Sequence, residues 1–464
     1  MEFWPFVSII TVNFNGKHFL DECFSSIFSI DYPKERYEVI MVDNISTDGS
    51  VDFVRRNYPE VILIESSRNL GFAGGNNLGI RKSKGEYIAL INNDAQVDGD
   101  WLKELVLVAD KFPEIGAITS KVYFHYFYLP IKLDCKAVVP KEMGKGRDTR
   151  KLGIRVNKVL INRIDVTEDV KFVKGFYLPE KIKSGNFCWS RDSSVLAIPI
   201  KDVGKKIKVS LFLQSFSPDN FLNITLGDEL IYKSDIGLKE IKTVFSISKE
   251  QSYQVKNLIN STGIFIDKQG YGGDRGFESF DESQFDEVQE VFGTSGVSAL
   301  FKREMLNEVG LFDEDFFMYY EDLDLCWRAR YLNWKILYNP KSVVRHYHSG
   351  SSKEWSPLFT FYVLRNRLLT LLKNAPFKMV IKYWFKYYLS ILYLIGRFFK
   401  DLLLEGKIEN MLKVRLKVAL SLLLKLPGQL AKRFKIQKTK KVDFKEIYKW
   451  IEKGEKYKKD FSKM

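Results

Sequence analysis

Short apolar runs alternate with amphipathic stretches over the first 123 residues. The runs VSIITV, YEVIMVD, VILIES, EYIALIN and IGAITSKVYF predict buried strands. Between them, the spacing of apolar residues predicts helices at 17–30, 49–57, 75–83 and 100–111. Strands that alternate with helices are typical of an open, mostly parallel sheet with helices on both faces. The pattern therefore predicts an α/β fold for residues 1–126.

The character of the chain changes between residues 127 and 257. Runs such as KIKVSLFLQ and FLNITLGDELIYK alternate apolar and polar positions, and Gly, Asp, Pro and Asn clusters separate them. This pattern predicts a small β-sandwich. Residues 258–356 return to mixed character, with helices expected at 302–309 and 321–332. We therefore expect the β-rich module to be inserted into the α/β domain.

Residues 357–464 form a basic tail with a helical pattern. From Phe377 onward there are 23 Lys and Arg against 8 Asp and Glu, which accounts for the chain's net charge of +14. The longest charge-free stretch, YYLSILYLIG at 387–396, is shorter than the roughly 20 residues that cross a bilayer. We expect amphipathic helices that lie on an anionic membrane surface.

The cysteines and the N-terminal residues bear on the compartment. Cys23, Cys135, Cys188 and Cys326 show no CxxC spacing, so a zinc site and a disulfide framework are both disfavoured. The start, MEFWPFVSIITVNFNG, has no basic segment before its apolar run, which predicts a first strand rather than a signal peptide. We expect a cytoplasmic protein at the inner face of the cell membrane.

Polar residues follow three of the predicted strands. Asn13 ends the first, Asp43 ends the second, and Asn92-Asn93-Asp94 follows the fourth. Open α/β sheets bind ligands beyond the carboxyl ends of their strands. A carboxylate after one strand is commonly only a helix cap, but three clusters at one sheet edge favour a ligand pocket. The nearby segment NLGFAGGNNLGI, at 69–80, is compatible with either a turn or a ligand loop.

Two further groups of residues are candidates for chemistry. Glu321, Asp322 and Asp324 begin a predicted helix, where acids favour the macrodipole, but the aromatic residues beside them suggest a partly dry cleft able to tune a proton acceptor. His346 ends a short apolar strand and is one of only four histidines in the chain. It is a candidate metal ligand or phosphate partner.

Together, these motifs resemble the family 2 glycosyltransferases with the GT-A fold, close to their rhamnosyltransferase-like branch. The resemblance rests on VSIITVNFNG, EVIMVDNISTDGS, NLGFAGGNNLGI, YIALINNDAQV, VSALFKREMLNEVGLFDEDFFMYYEDLDLCWRA and PKSVVRHYHSGSS. They span 7–123 and about 258–374 in the order found in that family. The segment 266–292 also resembles this branch, where it leads to the acceptor side of the cleft.

The resemblance implies roles for individual residues. Asp322 corresponds to the catalytic base, and Asp94 and His346 to a site for a divalent cation, Mg²⁺ or Mn²⁺. Glu321 and Arg328 would lie on the acceptor or phosphate side. The donor-binding residues implied are Thr11, Asn13, Asp43, Asn77 and Asn92. The usual DxD motif stands here as Asn92-Asn93-Asp94, a departure at its first position.

The function implied is inverting transfer of a sugar from a nucleotide sugar to a hydroxyl. The donor would be a UDP- or dTDP-sugar, with dTDP-rhamnose suggested by the branch, and the acceptor a glycan or a lipid-linked molecule of cell-surface polysaccharide synthesis. The alternative is a non-catalytic glycan-binding protein on a degenerate transferase fold, which would be free to lose the set Asp43, Asp94 and Asp322.

The basic tail and the β-module each allow two interpretations. The lysines of the tail interleave with Leu, Phe and Tyr, which favours a lipid surface over nucleic acid. The β-module is equally compatible with a structural spacer and with a glycan-binding module. Its Phe187 and Trp189 could stack on a sugar or fill a core.

Overall fold

The computed structural model describes residues 4–178, 180–182, 185–348, 356–404 and 410–457. The chain divides into two compact units. The first is built on the residues up to Tyr123, on Asn260–Phe277 and on the residues from Ser283 onward, and the second on Phe124–Ile259 and Glu278–Glu282. Parts of the tail and of the serine-rich stretch after His348 lie outside the described residues.

The first six strands and four helices follow the predicted order, except that β5 was not predicted. The strands are β1 Val7–Asn13, β2 Tyr37–Asp43, β3 Ile62–Glu65, β4 Tyr87–Ile91, β5 Ala95–Val97 and β6 Ile115–Asp134. The helices are α1 Lys17–Phe28, α2 Ser50–Asn57, α3 Gly71–Lys82 and α4 Trp101–Lys111. Strand β6 is longer than predicted, and its residues from Phe124 onward belong to the second unit.

The remaining elements of the first unit come from the second half of the chain. Its strands are β17 Ile264–Ile266, β18 Gly272–Asp274, β19 Gln289–Glu290, β20 Ser298–Lys302 and β21 Lys335–His346, numbered after the ten of the second unit. Its helices are α5 Arg303–Val309, α6 Glu321–Tyr331, α7 Pro357–Asn374, α8 Phe377–Leu404, α9 Asn410–Thr439 and α10 Phe444–Gly454.

The central sheet of the first unit is parallel on one side and antiparallel on the other. Strand β1 pairs in parallel with β2 and β4, and β2 pairs in parallel with β3. Strand β20 is antiparallel to both β4 and β6. The order is therefore β3-β2-β1-β4-β20-β6. The predicted α/β fold with a large open sheet is confirmed.

Alternate residues of each central strand face opposite layers of helices. Ile9 and Met41 belong to a buried cluster with α1, α2 and α4. Their neighbours Ile10 and Val42 belong to a second cluster with α3, α5 and α6. Because both faces are covered, the strands read in the sequence as continuous apolar runs.

The glycine-rich segment is helical from Gly71 onward, so the expectation of a loop before residue 75 is wrong. The glycines allow close packing between helix and sheet. A Cβ on Gly75 would lie 2.7 Å from Val12 Cγ1, and one on Gly79 would lie 2.6 Å from Ile10 Cγ2. The low helix propensity of glycine is therefore overridden by tertiary packing.

The second unit is built from strands. They are β7 Ile154–Ile161, β8 Ile164–Asp165, β9 Lys171–Phe176, β10 Glu180–Ile182, β11 Gly185–Ile200, β12 Ile207–Ser215, β13 Asn220–Leu226, β14 Glu229–Ile236, β15 Ile241–Ile247 and β16 Lys256–Ser261. Strand β12 pairs with β7 and β15, and β13 pairs with β14 and β6. Phe187 and Trp189 are only 6% and 8% exposed. These two rings fill a core and do not present a face to a sugar.

The C-terminal helices pack on the second half of the first unit. Apolar residues of α7 to α10 share a buried cluster with Trp327 and Phe316. Within α9, Leu412 and Leu422 are buried, whereas Leu416, Leu420 and Leu423 are exposed. Among the described helices, none is long and apolar enough to span a membrane.

A buried ion network joins these helices to the segment before α6. Lys373 Nζ donates to Asp313 Oδ2 at 2.6 Å and to Asp324 Oδ2 at 2.8 Å. Lys432 Nζ donates to both Asp313 and Asp315. Burial alone would raise the pKa of Asp324, but the nearby cations, Lys373 first, hold it below the usual value. The basic residues of α9 are therefore partly structural.

The close packing of α3 on β1 predicts the sign of a glycine substitution. We expect Gly79→Ala to lower stability by about 1–3 kcal/mol, because the added methyl group meets Ile10 in a filled core. A Cβ on the helical Gly396 would meet no atom within 4 Å, so Gly396→Ala should instead stabilise the fold by up to about 1 kcal/mol. Thermal unfolding followed by circular dichroism would compare them. A Gly79→Ala variant as stable as the parent would contradict this packing.

Candidate functional site

The ends of three adjacent strands are tied together by side-chain hydrogen bonds. Asn13 Nδ2 donates to Asp43 Oδ1 at 3.1 Å, and Asn93 Nδ2 donates to Asn13 Oδ1 at 2.8 Å. The backbone N–H of Ser46 donates to Asp43 Oδ2 at 2.8 Å. A Cβ on Gly16 would overlap the Asn93 amide, so the contact needs a glycine there. The structure thus brings the post-strand residues together at one sheet edge.

Asp94 and His346 face each other beside this edge. His346 Nε2 lies 3.0 Å from Asp94 Oδ1, and the two side chains are 7% exposed. The pairing of β21 with β5, which places His346 opposite Ala95, brings them together. Burial favours a higher pKa for Asp94, but the charge and hydrogen bond of His346 hold it below its usual value.

Asn260 orients both histidines of the segment at the end of β21. Its Oδ1 lies 3.0 Å from His346 Nδ1, and its Nδ2 lies 3.2 Å from His348 Nδ1. In this amide orientation Oδ1 accepts the Nδ1–H of His346, and Nε2, on the other side of the ring, faces Asp94 Oδ1. At 3.0 Å these two atoms can share a proton or bind one cation between them.

Asp94 and His346 fit a divalent cation that takes its remaining ligands from water and from substrate phosphates. The described residues contain no group of three or more His, Cys, Asp or Glu placed to hold a metal. One carboxylate and one imidazole, Asp94 and His346, face each other. Mg²⁺ is commonly held by one or two carboxylates together with waters and substrate phosphates, and Mn²⁺ accepts similar ligands.

The β4–β20 ladder connects this pair to Asp322. Ser298 is paired with Ile91, and the N–H of Asn92 donates to the carbonyl of Val297 at 3.0 Å. One residue earlier, the N–H of Gly296 donates to Asp322 Oδ2 at 3.2 Å. Asn92 Nδ2 in turn lies 3.4 Å from His346 Nε2. The candidate base and the candidate cation ligands therefore border the same strand ends.

Three acidic residues in this region titrate abnormally. Burial raises the pKa of Asp322 to about 6, although backbone N–H groups oppose the shift. Burial, followed by the charges of Asp322 and Asp324, raises the pKa of Glu321 well above its usual value. Burial also raises the pKa of Asp274 to about 6, and Asp322 and the two histidines act on it electrostatically. Asp274 therefore lies within electrostatic range of both the candidate base, Asp322, and the two histidines.

The turn that precedes α6, residues 315–320, has an unusual backbone. Phe317, Tyr319 and Tyr320 all have left-handed φ angles, of 66°, 65° and 72°. Each such residue costs about 1–3 kcal/mol unless its surroundings compel the conformation. The carbonyl of Phe317 accepts from the N–H of Ala73 at 3.1 Å, and a Cβ on Gly71 would overlap it. The start of α3 therefore packs against this turn and supports its conformation.

Three more of the predicted residues, namely Asn77, Arg328 and Thr11, differ in their hydrogen bonding. Asn77 exchanges hydrogen bonds with the backbone of Phe312 and donates to Glu314. Arg328 donates to Asp324 at 2.9 Å and to the carbonyls of Val309, at the end of α5, and Leu311, so it links α6 to that part of the chain. Thr11 is buried, and its Oγ1 has no hydrogen-bond partner in the described part of the chain.

Several other residues of this site are recognisable only in the structure. Asn93 stands in the same motif as Asn92, and its side-chain bond to Asn13 is what distinguishes it. Asp274 lies in the segment 266–292, whose resemblance to the family does not single out any one residue. Asn260 carries no sequence signal, and Ser46 stands in the motif EVIMVDNISTDGS without being singled out by it, because the roles of both come from hydrogen bonds between distant segments.

Two parts of the chain match family models. Residues 8–170 match the model described as Glycosyl transferase family 2, and residues 276–366 match Glycosyltransferase like family 2. The first match contains Asp43 and Asp94, and the second contains Asp322 and His346. The matched segments therefore include both sides of the site.

Named relatives are similar over parts of their length. A poly(ribitol-phosphate) beta-glucosyltransferase of Bacillus spizizenii is 35% identical over 21% of this chain and 16% of its own. Glycosyltransferase AglE of Haloferax volcanii is 31% identical over 21% of this chain and 34% of its own. The matches therefore cover well under half of either relative.

Among solved structures, a mannosyltransferase from Pyrobaculum calidifontis in complex with GDP-Man and Mn²⁺ is 15% identical, with a TM-score of 0.38 over 94% of this chain and 74% of that chain. A likeness at this level adds nothing to the assignment, which depends on the family models and on the relatives. On those grounds, the chain contains glycosyltransferase family 2 domains.

Proposed function

We propose that the protein is an inverting glycosyltransferase that moves a sugar from a UDP- or dTDP-sugar to a hydroxyl of a glycan or lipid-linked acceptor. The observation that carries the proposal is the β4–β20 ladder. It places Asp322, hydrogen-bonded to Gly296, beside the strand end that leads to Asp94. A proton acceptor and an anion-neutralising pair on one sheet edge are what transfer from a nucleoside diphosphate requires.

Asp43 is suited to reading a pyrimidine base. Its Oδ1 accepts from Asn13 and its Oδ2 from the backbone of Ser46, so the carboxylate is fixed in place. An ionised carboxylate has about four acceptor sites, so further sites stay available for a ligand N–H. Uracil and thymine both present such a donor, which is compatible with UDP- and dTDP-sugars. dTDP-rhamnose is the specific candidate.

Asp94 and His346 would hold a divalent cation with the donor diphosphate. When bound, such an ion neutralises the charge that develops on the leaving nucleoside diphosphate. The second nitrogen of His346 is anchored by Asn260 at 3.0 Å, which fixes the orientation of the ring. Asn92 borders the same position through its contact with His346.

Asp322 is the proposed general base. It accepts the proton of the acceptor hydroxyl as that oxygen forms a bond to the anomeric carbon and the bond from that carbon to the diphosphate oxygen breaks. Attack from the face opposite the leaving group inverts the configuration. A covalent nucleophile is unnecessary in this single displacement. Glu321, the neighbouring acid on the acceptor side, has a pKa that burial raises well above its usual value.

The acceptor class is proposed from the relatives together with the surface of the tail. One relative is named for poly(ribitol-phosphate), and another, 26% identical over 22% of this chain, is named as a putative teichuronic acid biosynthesis glycosyltransferase of Bacillus subtilis. Such names favour polysaccharide synthesis at the cell surface.

An anionic membrane surface is the proposed partner of the tail. One side of α8 exposes a row of large apolar residues, Phe377, Ile381, Phe385, Leu389 and Leu392. Lys378, Lys382 and Lys386 form an exposed row beside it. An apolar row flanked by lysines suits the interface of an anionic leaflet, such as the cytoplasmic one.

Removal of the base should abolish transfer while donor binding persists. With the nucleotide sugar that stabilises the protein most in a thermal panel, we expect Asp322→Asn to lower kcat about 10²–10⁴-fold and to leave the donor Kd nearly unchanged. In the parent protein the base is ionised above its pKa of about 6. Activity should therefore fall as pH drops through that value. Full activity of Asp322→Asn would refute the proposed mechanism.

Cation binding should depend on Asp94 even without turnover. Titration of Mn²⁺ in the presence of UDP, followed by electron paramagnetic resonance, should show an affinity loss of about 100-fold for Asp94→Ala. The exposed Asp52 is the control, and Asp52→Ala should bind Mn²⁺ like the parent. Unchanged Mn²⁺ affinity in Asp94→Ala would place the cation elsewhere.

Charge on the apolar row of α8 should prevent membrane association. We expect the double variant Ile381→Glu/Phe385→Glu to lose flotation with phosphatidylglycerol vesicles while donor binding persists, because acidic groups oppose insertion. Ile164→Glu, at a 69% exposed apolar position of the second unit, is the matched control and should float like the parent. Equal flotation of both variants, or displacement of vesicles by oligonucleotides, would contradict the proposal.

A further inference from the structure

The strained turn at residues 315–320 is held by two neighbouring residues of α7. Asn366 is fully buried, and its Nδ2 lies within hydrogen-bonding distance of the carbonyls of Phe316, Met318 and Tyr319, at 3.0, 2.8 and 2.7 Å. One amide group thus gathers the carbonyls of three residues of the turn. A side chain of the same size without an N–H donor could not do so.

Arg365 completes this clamp, which we define as Arg365 together with Asn366. Its Nη2 donates to the carbonyls of Asp315 and Phe316 at 2.7 and 2.8 Å. Its Nε donates to Asn366 Oδ1 at 2.8 Å, so the guanidinium also orients the amide. The clamp therefore satisfies the carbonyls that the turn directs toward α7.

The turn leads directly into the proposed base. Tyr320, left-handed at φ 72°, is the residue before the first turn of α6, and Asp322 lies two positions further on. A change in the path of the turn would move the Asp322 carboxylate relative to the N–H of Gly296, its hydrogen-bond donor at 3.2 Å. Without a clamp, residues in a costly conformation would relax.

Helix α9 reinforces the same turn from its other end. Lys432 and Gln429 both donate to Asp315 Oδ2, at 2.7 and 2.8 Å, and Lys425 donates to Asp315 Oδ1. The side chain of Asp315 is thus fixed by α9, while its carbonyl is fixed by Arg365 of α7. Two helices of the tail, α7 and α9, therefore contact the turn that leads into α6 and the proposed base.

We propose that Asn366, supported by Arg365, is a positioning residue that sets the Asp322 carboxylate for proton abstraction. The inference rests on the proposed transferase function. Asn366 itself is fully buried and bonded to backbone carbonyls of the turn, so the proposal assigns it no contact with the substrate. It acts through the backbone of residues 316–319, so its loss should affect the chemical step more than the binding of donor.

The test compares Asn366→Asp with Asn339→Asp. Asp has the shape of Asn but lacks the amide N–H. Asn339 is a similarly buried amide on β21 that donates to the carbonyl of Glu104, away from the turn. We expect Asn366→Asp to lower kcat about 100-fold with donor Kd within about twofold, because a misplacement of about 1 Å costs this much. Asn339→Asp should lose stability but retain kcat per folded molecule.

A second variant, Arg365→Lys, tests the inference even if Asn366→Asp fails to fold. It keeps the charge but loses the guanidinium group that reaches two carbonyls and the Asn366 amide, so a similar but smaller fall in kcat at unchanged donor Kd is expected. Hydrogen exchange of residues 315–323 should quicken in both clamp variants and not in Asn339→Asp. If either folded clamp variant shows faster exchange and retains full kcat, the inference is overturned.

Failure of the two proposals can be told apart with Asp322→Asn. If that variant loses transfer and the clamp variants keep it, the clamp has no positioning role and the transferase mechanism stands. If Asp322→Asn transfers sugar as the parent does, the proposed function itself is wrong. A parallel loss of kcat and donor binding in the clamp variants would also overturn positioning, because it would indicate general disruption.

Discussion

The amine of Lys373 lies between the carboxylates of Asp313 and Asp324, and the packing around α6 depends on this buried contact. Asp324 belongs to α6, Asp313 to the segment before it, and Lys373 to α7. Removal of one member of such a network leaves a buried charge uncompensated, which is strongly destabilising. Asn374 and Arg328 also donate to Asp324, so its carboxylate is held from several directions. These contacts therefore fix α6, the helix that carries the proposed base, against α7 and the segment before α6.

The neighbouring acids of α6 consequently have different roles. Asp324, surrounded by donors, has a lowered pKa and stabilises the fold. Asp322, buried with backbone N–H donors, has a pKa raised to about 6 and suits proton transfer. The two side chains have the same chemistry, but their environments shift their pKa values in opposite directions. The sequence motif alone shows three acids within four residues and does not distinguish them.

The order of most elements and the sheet edge at which the post-strand residues meet could be predicted from the sequence, because strands buried on both faces leave apolar runs with polar ends. The start of α3 was missed, since the sequence does not show that its glycines pack against Val12 and Ile10. The amide contacts of the site were also beyond the sequence. Asn260 meets His346 across 86 residues, and Asn366 meets the 315–320 turn across 50. Local propensity contains no information about contacts between such distant segments.

The proposed function requires one sheet edge to hold the nucleotide, the cation and the base together. A crystal structure of the protein soaked with Mn²⁺ and UDP, with anomalous data collected at the manganese edge, would locate all three. We expect a single strong anomalous peak bounded by Asp94, His346 and the diphosphate, with uracil against Asp43 and the Asp322 carboxylate facing the open side. A nucleotide bound away from Asp43, or manganese bound away from Asp94 and His346, would contradict the proposal.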